Sequence, residues 1–120
     1  MEGYKKKLGQ FGEQLARKYL EGKSYCFLES NWQKRCGEID LIFLHDKEII
    51  FVEVKTRTKN YCGYGEDAVN FSKKEKISRA IDSFLSENEK YQTYSPRFEI
   101  VVVELFSLVP KFMHYDVVEL

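Results

Sequence analysis

The sequence predicts an α/β fold: a mixed β-sheet flanked by helices, in the order α-β-β-β-α-β-β. Three observations predict it. Two segments, 6–21 and the one behind Ser72, repeat apolar residues at helical spacing. Short stretches rich in β-branched and aromatic residues lie between and after them. Two of these, 38–44 (EIDLIFL) and 48–55 (EIIFVEVK), are separated only by His45-Asp46-Lys47. Helices and strands in this order bury a sheet under helices on its faces.

Each element has its own warrant. In the first helix Leu8, Phe11, Leu15, Ala16, Tyr19 and Leu20 recur with helical period, and Gly22 is a stop signal. Residues 25–32 (YCFLESNW) read as a strand. Residues 58–71 carry two glycines among polar residues and read as a loop. Ser72 and Glu75 have capping-box spacing. Behind them Ile77, Ala80, Ile81, Phe84 and Leu85 line one face of a helix running to about Glu89. Strands follow at 97–105 (RFEIVVVEL) and 112–118 (FMHYDVV).

The hairpin carries the chemistry. Its strands are apolar enough to be buried, yet they contain Glu38, Asp40, Glu53 and Lys55. Charge in a core is costly unless it is paired or holds a metal. A two-residue turn at Asp46-Lys47 sets His45 opposite Glu48, Ile42 opposite Phe51, Asp40 opposite Glu53 and Glu38 opposite Lys55. Directly opposed residues have Cβ atoms about 4.5–5.5 Å apart. Two carboxylates at that distance repel, and a divalent cation resolves the conflict. Hard oxygen ligands suit Mg²⁺ or Mn²⁺. Lys55 is placed to act on an attacking water or on charge developing at phosphorus. The competing reading is a cross-strand salt-bridge cluster built on Glu38 and Lys55.

Composition narrows the classes. A chain of 120 residues, 43% hydrophobic and 15% aromatic, is expected to form one globular domain spanning 1–120. Its apolar runs are too short to cross a bilayer. The basic start is not followed by an apolar stretch, so no secretory signal is expected. Cys26, Cys36 and Cys62 form no Cys-x-x-Cys and suit a reducing, cytoplasmic setting. Zero net charge argues against a simple DNA-coating protein. The charge is divided, however: residues 1–79 hold 16 Lys+Arg and 12 Asp+Glu, and residues 80–120 hold 3 and 7. The first part therefore suits the approach of a phosphate backbone.

A set of motifs spans nearly the whole chain. It comprises Gly9-x-x-Gly12-Glu13-x-x-Ala16-x-x-Tyr19-Leu20, Asn31-Trp32, Gly37-Glu38-Ile39-Asp40-Leu41-Ile42 and Phe51-Val52-Glu53-Val54-Lys55-Thr56-Arg57. Glu66-x-Ala68-Val69, Lys73, Ala80 and Arg97-Phe98 complete it. With these the chain resembles the YraN-like family of small bacterial proteins, and its sheet motif resembles the PD-(D/E)xK nuclease superfamily. The resemblance implies a restriction-endonuclease-like sheet and Mg²⁺- or Mn²⁺-dependent hydrolysis of DNA, branched or structured. It implies Asp40 and Glu53 as metal ligands, with Val54 between Glu53 and Lys55 joining them, and Lys55 as the catalytic lysine. Glu13 matches a first-helix Glu near the metal in similar junction resolvases, which also imply a homodimer. The chain departs from the pattern in having Ile39 before Asp40, Gln33 where many members have Arg, and Lys23-Ser24 in place of a Gly.

The remaining polar residues have weaker claims. Lys34, Arg35, Arg57 and Lys73 are candidate phosphate contacts, and Tyr61 and Tyr64 could stack on bases. Glu38 reads as a partner for Lys55 or Arg57. His45 and His114 lack ligand spacing and read as structural. The rival function is a non-catalytic nucleic-acid- or partner-binding module with a relic site.

Overall fold

The computed structural model describes residues 2–59 and 71–117, with side chains for 3–59 and 74–117. Its elements are α1 (Glu2–Glu21), β1 (Cys26–Lys34), β2 (Gly37–His45), β3 (Glu48–Arg57), α2 (Phe71–Glu87), β4 (Ser95–Glu104) and β5 (Lys111–Val117). A 3₁₀ turn at Glu89–Tyr91 follows α2. The five strands form one sheet in chain order. β1, β2 and β3 are antiparallel neighbours, β3 and β4 run parallel, and β5 returns antiparallel to β4. The α/β class and the element order are those the sequence predicts.

The sheet is buried on both faces, which explains the apolar runs of β2 and β3. On one face Ile42, Ile49, Phe51 and Phe98 pack against Ile77, Ala80, Ile81 and Phe84 of α2. On the other face Leu41, Phe43, Ile50, Val52, Val101 and Val103 pack with Ala16 and Leu20 of α1. Phe11 departs from the expected apolar face and is 49% exposed. The neighbouring position explains this. A Cβ at Gly12 would lie 1.9 Å from Thr56 Oγ1 and 3.0 Å from Thr56 Cβ. Gly12 is thus the point where α1 rests directly on β3, and Phe11 is turned aside. α2 begins at Phe71, one residue ahead of the expected cap Ser72, and ends at Glu87.

The hairpin turn forms as predicted, with His45 opposite Glu48 and Asp46 at φ +55. Asp tolerates this left-handed conformation better than most residues, so the turn does not require Gly. The predicted register holds from there to Leu41–Val52 and then stops. Among the described residues, the backbone pairs Asp40–Glu53 and Glu38–Lys55 do not form. β2 stays with β1 through Ile39, Glu38 and Gly37, while β3 stays with β4 as far as Arg57–Glu104. The sheet therefore forks beyond Leu41–Val52, with Asp40 and Glu53 at the opening.

Candidate metal centre at the sheet fork

Asp40 is the pivot of the fork. Its Oδ2 accepts a hydrogen bond from the Val54 N–H at 2.8 Å, in place of the ladder bonds the strands no longer make. Burial pushes the Asp40 carboxyl up to about 7. The Val54 N–H opposes this, while Glu13, Glu53 and Glu38 each add to it through their charge. Glu13 is also raised, first by burial and then by Glu38, with a hydrogen bond from the Asn31 side chain acting against both. Three other acids thus act on Asp40 through their charge, with Glu13 lining a separate cleft beside Asn31 and Leu41.

Glu53 and Lys55 follow Phe51 on the α2 side of β3, as period-2 alternation requires. Lys55 is only 8% exposed, and its Nζ lies 4.0 Å from Glu53 Oε1. Asp40 and Glu53 open together onto a cleft of about 350 Å³, which is also lined by Gly37, Ile39, Lys76 and Phe98. A Cβ at Gly37 would come within 3.1 Å of the Lys76 carbonyl, so this glycine lets α2 close one wall.

The donor set fits a hard divalent cation. It offers carboxylate oxygens from two adjacent strands, with Asp40 raised first by burial and then by its acidic neighbours. Among the described residues, no three or more His, Cys, Asp or Glu side chains come together as a group that could hold a metal ion. A site with two carboxylates matches Mg²⁺, which keeps several waters.

The other expected residues are spread more widely. Val54 meets Asp40 through its N–H. Glu38 accepts a hydrogen bond from Gln33 Nε2 at 3.2 Å, across the β1–β2 pair, rather than serving as the cross-strand mate of Lys55. This follows from β2 staying with β1 beyond the fork. Lys34 pairs with Glu87 at 3.1 Å, Arg35 lies exposed in the β1–β2 turn, and Arg57 Nη1 donates to the Thr56 carbonyl at 3.1 Å. Lys73 lies in the first turn of α2, but its side chain is outside the described residues, as are Tyr61 and Tyr64. Sequence reasoning gave no role to Asn31, Gly12 or Lys76. An Asn inside a strand is the one visible signal, because Asn is a poor strand former.

A second polar cluster lies on the α1 face. Glu99, 3% exposed, accepts from Tyr25 Oη at 2.9 Å and from His114 Nε2 at 2.6 Å, and Arg97 Nε lies 3.6 Å away. Arg97 also pairs with Glu48 at 3.0 Å and with Asp116. Lys23 Nζ donates to His114 Nδ1 at 3.1 Å, which leaves Nε2 to carry the proton toward Glu99. His114, read from the sequence as structural for want of ligand spacing, is held between Lys23 and Glu99.

Fold and site together define an α/β protein with an acidic fork between two central strands. The profile of the uncharacterised protein family UPF0102 matches residues 12–103. A UPF0102 protein of Caldanaerobacter subterraneus subsp. tengcongensis is 43% identical over 101 residues, covering 84% of this chain and 82% of its own. One from Alkaliphilus oremlandii is 38% identical over 112 residues, covering 92% and 96%. One from Acinetobacter baumannii strain AYE is 36% identical over 109 residues, covering 91% and 82%. The chain belongs to the UPF0102 family, the YraN-like family its motifs resemble. No helix among the described residues is long and apolar enough to cross a membrane.

Proposed function

We propose that this protein is a metal-dependent endonuclease of the PD-(D/E)xK type, hydrolysing phosphodiester bonds in DNA, with branched or structured DNA as the first substrate class. One observation carries the reading: a half-buried Asp40, at the opening of a forked sheet, feels the charge of Glu13, Glu53 and Glu38, and the buried Lys55 lies beside Glu53. A fold has no structural use for such crowding, because it destabilises the charged form. A divalent cation turns it into binding energy.

Asp40 and Glu53 would hold Mg²⁺ or Mn²⁺, with the Val54 carbonyl as a further oxygen donor. The bound cation supplies Lewis-acid activation of water and of a phosphoryl oxygen. The Val54 N–H orients Asp40. Lys55 offers a fixed ammonium, either to charge developing on the phosphoryl oxygens or to the attacking water. Glu13, on α1, would add negative charge from the neighbouring cleft that it lines with Asn31 and Leu41. Lys34, Arg35, Arg57 and Lys73 supply positive charge for the backbone of the substrate. Two copies acting together, in the cytoplasm, would suit the cutting of two strands of a branched substrate.

The test is cleavage of duplex, single-stranded, flap, four-way-junction and RNA substrates with Mg²⁺, Mn²⁺ or EDTA, beside Glu53→Ala. The proposal expects cutting that needs the metal and is lost in the variant. Full activity of Glu53→Ala would remove the mechanism. Metal-independent binding without cutting, unchanged by Asp40→Asn, would favour a binding module with a relic site.

A further inference from the structure

We infer that two copies of this chain pair through one apolar surface, with the outer side of α1 in each copy seated on the β4–β5 hairpin tip of the other. The inference does not depend on the metal-site reading. On α1, Tyr4, Leu8, Phe11 and Leu15 recur at steps of four, three and four, the spacing of a helix seam that packs against another surface. One more step of four reaches Tyr19. Ala16 and Leu20 take the contacts with the sheet. The seam is turned away from them: Tyr4 is 61% exposed and Phe11 49%.

The β4–β5 connection supplies the other half. It runs Leu105-Phe106-Ser107-Leu108-Val109-Pro110. Leu108 is fully exposed and Val109 is 72% exposed. The tip is held in shape, because the Leu105 N–H donates to the Arg57 carbonyl at 2.8 Å and Ser107 Oγ donates to the Val109 carbonyl at 3.1 Å. Its base adjoins the helix seam. Phe112 stacks on Tyr19 with ring centroids 4.5 Å apart, and Leu105 packs against the same core cluster as Leu15. Among the described residues, every exposed large apolar side chain except Tyr115 falls on the seam or the tip. Single exposed apolar residues are ordinary on a protein surface, whereas such a gathering marks an interaction site.

Charge selects the occupant. The helix lies in the part with 16 Lys+Arg against 12 Asp+Glu, a net of +4, and the hairpin in the part with 3 against 7, a net of −4. Lys7 and Lys18, exposed and each three residues past a seam position, flank the apolar stripe. No basic residue lies between Leu105 and Pro110, so the tip suits neither an anionic lipid surface nor nucleic acid. A second copy offers each half its complement, a basic-flanked helix over the acidic hairpin side. A two-fold axis makes this contact twice with one patch per copy. Zero net charge leaves the two copies without long-range repulsion.

The test is sedimentation velocity of the wild type, Phe11→Glu and Leu108→Lys, each alone over a wide range of concentration, and of the two variants mixed. Both side chains are exposed, and circular dichroism checks that each variant folds. The wild type should dimerise. Each variant alone should lose dimer affinity by about thirtyfold or more. An equimolar mixture should recover a dimer, because Phe11→Glu in one copy then meets Leu108→Lys in the other while the second contact keeps its native residues. Should either variant fail to fold, Tyr4→Glu and Val109→Lys serve in the same mixing scheme. A wild type that stays monomeric as concentration rises, variants that remain dimeric, or variants that dissociate without recovery on mixing overturn the inference. A recovered dimer that neither binds Mn²⁺ nor cuts removes the nuclease reading and leaves this one standing.

Discussion

Asp40, half-buried, and Glu99, buried, are both acids within central strands, and their surroundings treat them oppositely. Glu99 has Tyr25, His114 and Arg97 around it, drawn from the residue just before β1, from β5 and from β4. Asp40 has one backbone N–H and three neighbouring carboxylates. The first arrangement satisfies a charge and ties strands together. The second leaves charge in conflict at an opening in the sheet. Burial alone does not mark a functional acid; the balance between donors and like charges does.

The largest expected effect breaks this contrast on the functional side. Asp40→Ala and Glu53→Ala should each reduce metal-dependent cleavage by about a hundredfold or more, with an unchanged circular dichroism spectrum. Lys55→Ala should lower kcat strongly as well. If it only lowers folding stability, the fork is a salt-bridge cluster after all.

The complementary change is on the structural side. Glu99→Ala strips His114, Tyr25 and Arg97 of their shared acceptor and should destabilise the fold by about 3 kcal/mol in chemical denaturation. Cleavage per folded molecule should stay within about twofold of wild type. A large loss of activity without loss of stability would move the Glu99 cluster into the functional class.

A third prediction uses pH. Burial and its acidic neighbours raise folded Asp40 from 3.8 to about 7. Below about pH 4 both folded and unfolded states hold the proton. Between there and about pH 7 only the folded state does, so metal-free stability falls as pH rises through that window and stays low above it. Asp40→Asn lacks this loss and should be more stable than wild type at pH 8, by on the order of a few kcal/mol. At pH 4 the two should agree. Equal denaturation midpoints at pH 8 would show that Asp40 is not in conflict.

The smallest effect concerns how α1 is seated. Gly12→Ala pushes a methyl into Thr56 and should cost about 1–3 kcal/mol. Because Glu13 is the next residue, activity should fall further than stability explains. Thr56→Ala should restore part of both, as measured by Tm and kcat in the double variant.

These residues also show what the sequence made legible. The helices, strands and hairpin turn follow from local periodicity and from Asp46, so they were readable. So was the clustering of Asp40, Glu53 and Lys55, because spacing on one hairpin brings them together. The fork was not readable. It depends on β2 staying with β1 and β3 with β4, a competition between neighbours that are distant in sequence. Extending the register past Leu41–Val52 therefore overstated the Asp40–Glu53 ladder and gave Glu38 the wrong cross-strand mate. The Glu99 cluster was missed for a similar reason: its donors come from strands up to 74 residues away. Gly12 stood in a motif, but only the 1.9 Å approach to Thr56 shows its purpose.

The most direct test of the central claim is a calorimetric Mn²⁺ titration of the metal-free protein beside Asp40→Asn, at a pH where both are folded. Mn²⁺ should bind the wild type saturably and the variant with at least a tenfold loss of affinity. Equal affinity in the two proteins, or no binding to the wild type, would contradict it.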